Sequence, residues 1–276
     1  MAAEYIAQDS DIAPVAALIA DPTRAAILTA LLGGRALAAG ELARLSGVSA
    51  ATASAHLSRL LDGRLVDVVR QGRHRYYRLA GHEVAEVLEV LARVSTRPPI
   101  RSLRQSRQAR QLEEARTCYD HLAGRAGVAL FDQLVQGGFL VNQEVTDKGE
   151  WLLAGLGVDV AGVRKARRRF APECLDWTER RAHLGGALGA AVTGALLERG
   201  WYRHGTVPRA VVLTDEGREG LVALFSDGEA REGLANRFSG DEARDGRAAR
   251  FSSDEGGEGQ AAAFAGKELT SHTPVT

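Results

Sequence analysis

The sequence predicts a mainly α chain with small β-hairpins, made of an N-terminal module and a separate C-terminal α+β domain. Three observations carry that prediction. Apolar residues recur at helical spacing through the first hundred positions, with capping and stop residues between the runs. Two short β-prone runs flank a basic, glycine-containing loop at 71–75. Residues 121–130 then resemble residues 183–192, so a pattern occurs twice in the second half. A chain of 276 residues has room for two or three domains, each able to bury its own core.

The first helix is expected from Ile12 to Ile19, ending before Asp21-Pro22, where Asp21 can cap a second helix that begins at Pro22. Ile27, Leu28, Leu31 and Leu32 give that helix an apolar face, and Gly33-Gly34 stops it. A short helix follows from Gly40 to Ser46. Gly47-Val48-Ser49 makes a turn, and Ser49 caps a helix to Leu61. Strands at Leu65 to Arg70 and Tyr76 to Leu79 enclose the loop Gln71 to Arg75, and an amphipathic helix runs from Glu83 to Val94 before Pro98-Pro99. Three helices, a turn, a helix, a hairpin and a helix form the order of a winged helix-turn-helix.

Particular residues make the resemblance specific. The runs Leu18 to Leu28, Glu41-Leu42-Ala43, Val48 to Leu57 and Gly72 to Tyr77 are similar to repressors of the ArsR/SmtB family, over about residues 12–94. That resemblance implies a transcriptional regulator, a repressor by family habit, that binds double-stranded operator DNA as a homodimer. Its dimer contacts would come from Ile12 to Ile19 and from Glu83 to Val94, whose Val87, Leu88, Leu91 and Val94 form an apolar stripe.

Helical geometry divides the faces of the Ser49 to Leu61 helix. Ala50, Ala53, Leu57, Leu60 and Leu61 should pack inward, leaving Ala51, Thr52, Ala55 and Arg59 outward with Ser58 and His56 on the flanks. Small residues let such a helix approach base edges in a major groove, and Arg59 can reach guanine or phosphate. The expected DNA-binding set is Ser49, Ala51, Thr52, Ala55, His56 and Arg59, with Arg73, His74 and Arg75 from the wing. His56 is equally compatible with packing beside Leu60.

After Pro99, His121 to Leu130 matches His183 to Val192, Gly138-Phe139 matches Gly200-Trp201, and Thr146 to Gly149 matches Thr214 to Gly217. We expect two tandem winged-helix-like repeats, at 121–160 and 183–225, in a candidate sensor domain spanning 101–225. Residues 1–97 would form the DNA-binding and dimerisation domain. From 226 to 276 the composition turns to Gly, Ala, Asp, Glu and Ser, which predicts a disordered tail.

Lysine and arginine total 35, as do aspartate and glutamate, so the formal net charge is zero. A protein that coats nucleic acid indiscriminately would be strongly basic, so the cationic contacts must be local. Arginines cluster at 70–78, 101–116 and 164–169. The last cluster can extend DNA contact, bind an anion or be a solvated face. Met1 to Asp11 has no apolar leader pattern, and two cysteines are too few for a disulfide framework, so a cytoplasmic protein is expected.

The family's usual metal-binding cysteines would fall at Glu41 to Leu45, where there are none, and His82, Glu83 and Glu86 are too sparse for its other site. The second half offers Cys118 and His121, then Cys174 and His183. If the repeats pack about a pseudo-two-fold axis, these four make a set suited to zinc or another thiophilic metal. The alternatives are buried structural cysteines with histidines paired to Asp120, Asp176 or Glu179, a thiol oxidation switch, or an organic effector among Tyr119, Trp177, Trp201 and Tyr202. No catalytic signature is present, so no enzyme is expected. A cysteine-nucleophile enzyme and a non-sensing adaptor are the rival classes.

Overall fold

A computed structural model describes residues 10–72, 74–96 and 99–225. Arg73, Pro98 and the expected disordered tail lie outside the described residues, as does most of the Met1 to Asp11 segment.

Helix α1 (Ala13–Ala20) meets α2 (Pro22–Leu31) at Asp21, whose carboxylate accepts from the Arg24 amide at 2.9 Å. Arg24 is buried because its guanidinium donates to the carbonyls of Leu18 at 2.6 Å and Ala17 at 2.8 Å. It thereby satisfies orphan acceptors at the end of α1 and fixes the corner between the helices.

Strand β1 (Leu37–Ala38) precedes α3 (Ala39–Ser46), which ends at Gly47 with φ +71°, a conformation that glycine adopts without a Cβ clash. Ser49 then caps α4 (Ala50–Asp62) by accepting from the Thr52 amide. Strands β2 (Val66–Gln71) and β3 (His74–Leu79) form the wing, and β1 completes a sheet of order β1-β3-β2. Helix α5 (His82–Val94) closes the module. Its core gathers Ile27, Leu28, Leu31, Leu42, Leu57, Leu60, Val66, Tyr77, Leu79 and Leu88.

Two details differ from expectation. Ala50 is exposed, since it occupies the first turn of α4, ahead of the point where the helix meets the core. The wing is a tight hairpin: Gln71 pairs with His74 and Arg70 with Arg75, so the strands extend through most of the expected loop. Gly72, with φ +58°, permits the short turn.

The C-terminal part opens with α6 (Leu103–Glu114), a polar helix that carries most of the arginine cluster at 101–116. Hairpin β4 (Arg116–Cys118) and β5 (His121–Ala123) leads into α7 (Gly124–Gln136). Hairpin β6 (Leu140–Val141) and β7 (Glu144–Val145) leads into α8 (Asp147–Gly155), followed by α9 (Val160–Arg164). The same order then recurs: β8 (Glu173–Leu175), β9 (Ala182–Leu184), α10 (Gly186–Glu198), β10 (Tyr202–His204), β11 (Val211–Leu213) and α11 (Asp215–Phe225). Each of these hairpins is a separate two-stranded sheet, so neither half builds a three-stranded wing like that of residues 37–79.

Both halves share one core, with Leu122, Leu130 and Phe131 packed among Leu184, Leu188 and Val192. Helix α7 packs on β9, while α10 packs on β5. Gly189 favours the second approach, since a Cβ there would lie 3.1 Å from that of His121, tighter than ordinary contact. No single helix among the described residues is long and apolar enough to cross a membrane.

Candidate functional site

The burial of α4 divides it into an inner and an exposed face. Ala53, Leu57 and Leu60 are buried, whereas Ala51, Thr52, Ala55, Ser58 and Arg59 are exposed. Ser49 and Thr52 hydroxyls lie 2.8 Å apart, which holds the Thr52 side chain at the helix entry. His56 differs from its neighbours. Its ring is half-buried, with Nδ1 3.6 Å from the Asp21 carboxylate, so it packs between α4 and the start of α2. In the wing His74, Arg75 and Arg70 are exposed, and Arg70 stands directly across from Arg75.

The second site lies in the C-terminal part. A two-residue turn makes Cys118 and His121 direct cross-strand partners, and the longer β8–β9 turn does the same for Cys174 and His183. The histidines therefore sit on strands, three residues before α7 and α10. Reciprocal packing of the halves brings the hairpins together. One donor atom from each of the four residues lies within 4.8 Å of all the others, a grouping that can hold a metal ion.

The two sulfurs are 3.9 Å apart, and the imidazoles stack with centroids 5.1 Å apart. Cys118 is buried and Cys174 is partly so. The Cys118 thiol beside it, helped by the imidazoles of His121 and His183, holds Cys174 well below the ordinary thiol range. The same contact, with burial, pushes Cys118 up. Burial opposes protonation of His121, yet Asp120 and Cys174 together raise its pKa.

Carboxylates stand behind both rings. His121 Nδ1 is 3.4 Å from Asp120, which Arg168 holds at 2.7 Å. His183 Nδ1 is 3.7 Å from Asp176, which pairs with Arg116 at 2.8 Å in a fully buried contact. The sequence reading missed Arg116 and Arg168 as supports because their partners are 60 and 48 residues away. The arginine cluster at 164–169 is partly internal: Arg168 also donates to the Gly186 carbonyl, and Arg164 pairs with Glu144 while covering Phe170. Of the expected effector aromatics, only Tyr119 borders the cleft beside the cysteines. Trp177 lies under Arg116, and Tyr202 is buried in the shared core.

Helix α4 presented beside a basic wing defines a DNA-binding transcriptional regulator of the winged helix-turn-helix class. Residues 19–69 match the Helix-turn-helix domain family. The chain is 42% identical over 212 residues to the uncharacterised HTH-type transcriptional regulator YdfF of Bacillus subtilis, covering 75% of this chain and 94% of that one. It belongs to this family of HTH-type transcriptional regulators. The aligned stretch is longer than the winged module, so the likeness reaches into the C-terminal part. HTH-type transcriptional regulator YgaV of Escherichia coli is 36% identical over 73 residues, 26% of this chain and 74% of its own. Among solved structures, a homodimeric winged helix-turn-helix fragment of Mb0332 from Mycobacterium bovis is 32% identical. It covers 32% of this chain and 79% of the fragment, with a TM-score of 0.27.

Proposed function

We propose that this regulator binds a two-fold operator as a homodimer, through Ser49, Ala51, Thr52, Ala55 and Arg59 of α4 and through Arg73, His74 and Arg75 of the wing. The observation that carries this reading is the Arg70–Arg75 pair. Like charges facing across a hairpin are unfavourable in isolation, and a phosphate backbone relieves them. The exposed face of α4 is small enough to sit against base edges, with Arg59 as its one long cation. His56 is left out of the contact set because its ring faces Asp21.

Dimerisation is supported by unpartnered apolar surface at both ends of the module. Helix α1 buries none of its residues, with Ile12 and Val15 exposed, and α5 exposes Val87, Leu91 and Val94. A dimer presents two copies of α4 to half-sites about one helical turn apart. Residues 1–97 would do this work in the reducing cytoplasm, where two free thiols persist.

Residues 101–225 are the sensor in this reading, and the four-residue Cys/His cluster is the effector site. A sensor is favoured over an enzyme because all four donors converge on one point, as chelation requires. The sign of regulation is repression, by resemblance.

Operator binding is tested by fluorescence anisotropy on the DNA upstream of the protein's own gene, at stated salt. Arg59→Ala should cost about 1–3 kcal/mol on the specific sequence, and Arg75→Ala should lower the salt slope by about one. No sequence-specific complex, or two variants that bind as tightly as the wild type, would sink the reading.

A further inference from the structure

We propose that Cys118, His121, Cys174 and His183 form a tetrahedral site for a zinc-class divalent cation, and that its occupancy is the signal carried to helix α5. The regulatory half deepens the sensor reading above and rests on it.

Geometry favours chelation. Zinc–sulfur bonds of about 2.3 Å place two tetrahedral thiolates about 3.8 Å apart. The sulfurs here are 3.9 Å apart, so a cation fits with little movement. A disulfide requires about 2 Å, and closing to that length would draw β4 and β8 toward each other. Two thiolates also neutralise a divalent charge, which removes the main penalty for placing a cation in a buried site.

The imidazoles are oriented for the same task. With Nδ1 of each ring turned to Asp120 or Asp176, Nε2 is left to ligate, the carboxylate–histidine arrangement that supports metal ligands. Neither nitrogen of His183 has a hydrogen-bond partner, although the residue is only 1% exposed, and His121 Nε2 is likewise buried and unpartnered. Leaving a buried nitrogen without a partner is unfavourable. A cation satisfies the two Nε2 atoms, while His183 Nδ1 stays turned to Asp176. Thiolate and imidazole donors select a borderline-soft ion over magnesium or calcium.

The site also has an entrance and a link to the DNA-binding module. It borders a cleft of about 160 Å³ whose other wall is α5, with Glu89 and Arg93. Next to Cys118, Thr117 donates its amide to the Arg209 carbonyl at 2.8 Å and accepts from Arg209 Nε at 3.1 Å. Arg209 in turn pairs with the buried Glu89 of α5. Chelation holds Cys118 and with it β4 in place, and this chain of contacts ties that strand to the helix that carries Val87, Leu91 and Val94.

The test uses the full chain, reduced, stripped with a chelator and titrated with cobalt(II) alone. One equivalent per chain should give thiolate-to-cobalt charge transfer and the visible bands of tetrahedral cobalt, both bleached by zinc(II). Cys174→Ser should weaken binding at least about tenfold and reduce the charge-transfer band. The second readout is the wild type itself, in which zinc(II) should protect both thiols from a disulfide reagent. Absence of charge transfer in the wild type, an unchanged spectrum in Cys174→Ser, or unprotected thiols would overturn the site.

For the signal, zinc(II) should change operator affinity by about fivefold or more. Glu89→Gln should keep the cobalt spectrum and lose that change. A cobalt-binding protein whose operator affinity ignores zinc(II) overturns the sensor reading and leaves the site standing. An undiminished response in Glu89→Gln overturns the Arg209–Glu89 route alone.

Discussion

Asp176 takes hydrogen bonds from Arg116, the Gly124 amide, the Thr178 amide and hydroxyl, and the Glu179 amide. Burial pushes its pKa up, but the Arg116 guanidinium and these donors together hold it well below the usual carboxylate range. Breaking a buried ion pair strands the surviving charge, so Asp176→Asn should lower stability by about 3–5 kcal/mol in chemical denaturation. Asp21 is the half-buried counterpart. The Arg24 amide that it caps holds its pKa down. A depressed folded pKa means that the cap's contribution is present above the ordinary aspartate value, about 3.9, and is lost as pH falls through the lower folded value. Unfolding midpoints measured below pH 4 should therefore lose less in Asp21→Asn than in the wild type. Asp21 was legible in the sequence because its cap is local. Asp176 was not, because its donors come from three separate segments.

Between elements, the joints are single polar contacts and close approaches. Thr193 of α10 accepts from the Leu122 amide of β5 at 2.8 Å and donates to Gly189 at 2.7 Å, all buried. Thr193→Val keeps the shape but leaves that amide unpaired, and should cost about 1–3 kcal/mol by urea unfolding. Gly189 permits the same contact: a Cβ there would meet the Leu184 carbonyl at 2.4 Å. Gly189→Ala should push α10 from the hairpins, seen as a larger loss of cobalt affinity than of secondary structure. Caps and helical periods placed most helices to within a few residues. The hairpins at 116–123 and 173–184 were harder, because three-residue strands carry too little alternation to stand out.

For the whole molecule, the C-terminal part leans on the winged module at defined points. A Cβ at Gly34 would lie 2.7 Å from the Tyr119 carbonyl, and Tyr119 packs against the N-terminal core. Tyr119 itself has φ +63°, a costly conformation for a non-glycine residue, in the turn between Cys118 and His121. Dimerisation belongs to this scale too. Leu91→Glu places a charge in the exposed stripe of α5, and should yield a monomer by sedimentation velocity whose operator affinity falls by about tenfold or more. A dimer that survives this change would locate the interface elsewhere.

The sequence by itself determined the winged helix-turn-helix, because caps, periodicity and a glycine turn act within a few residues of one another. It also named Cys118, His121, Cys174 and His183 as one chemical set. Only the tertiary structure decided that they meet, since 56 residues separate the two cysteines and their approach depends on α7 and α10 each packing on the other half's hairpin. The same long-range packing turned His56 toward Asp21 and joined Arg209 to Glu89 across 120 residues. Local rules fix elements; the partners of a buried charge or donor are fixed by which elements pack together.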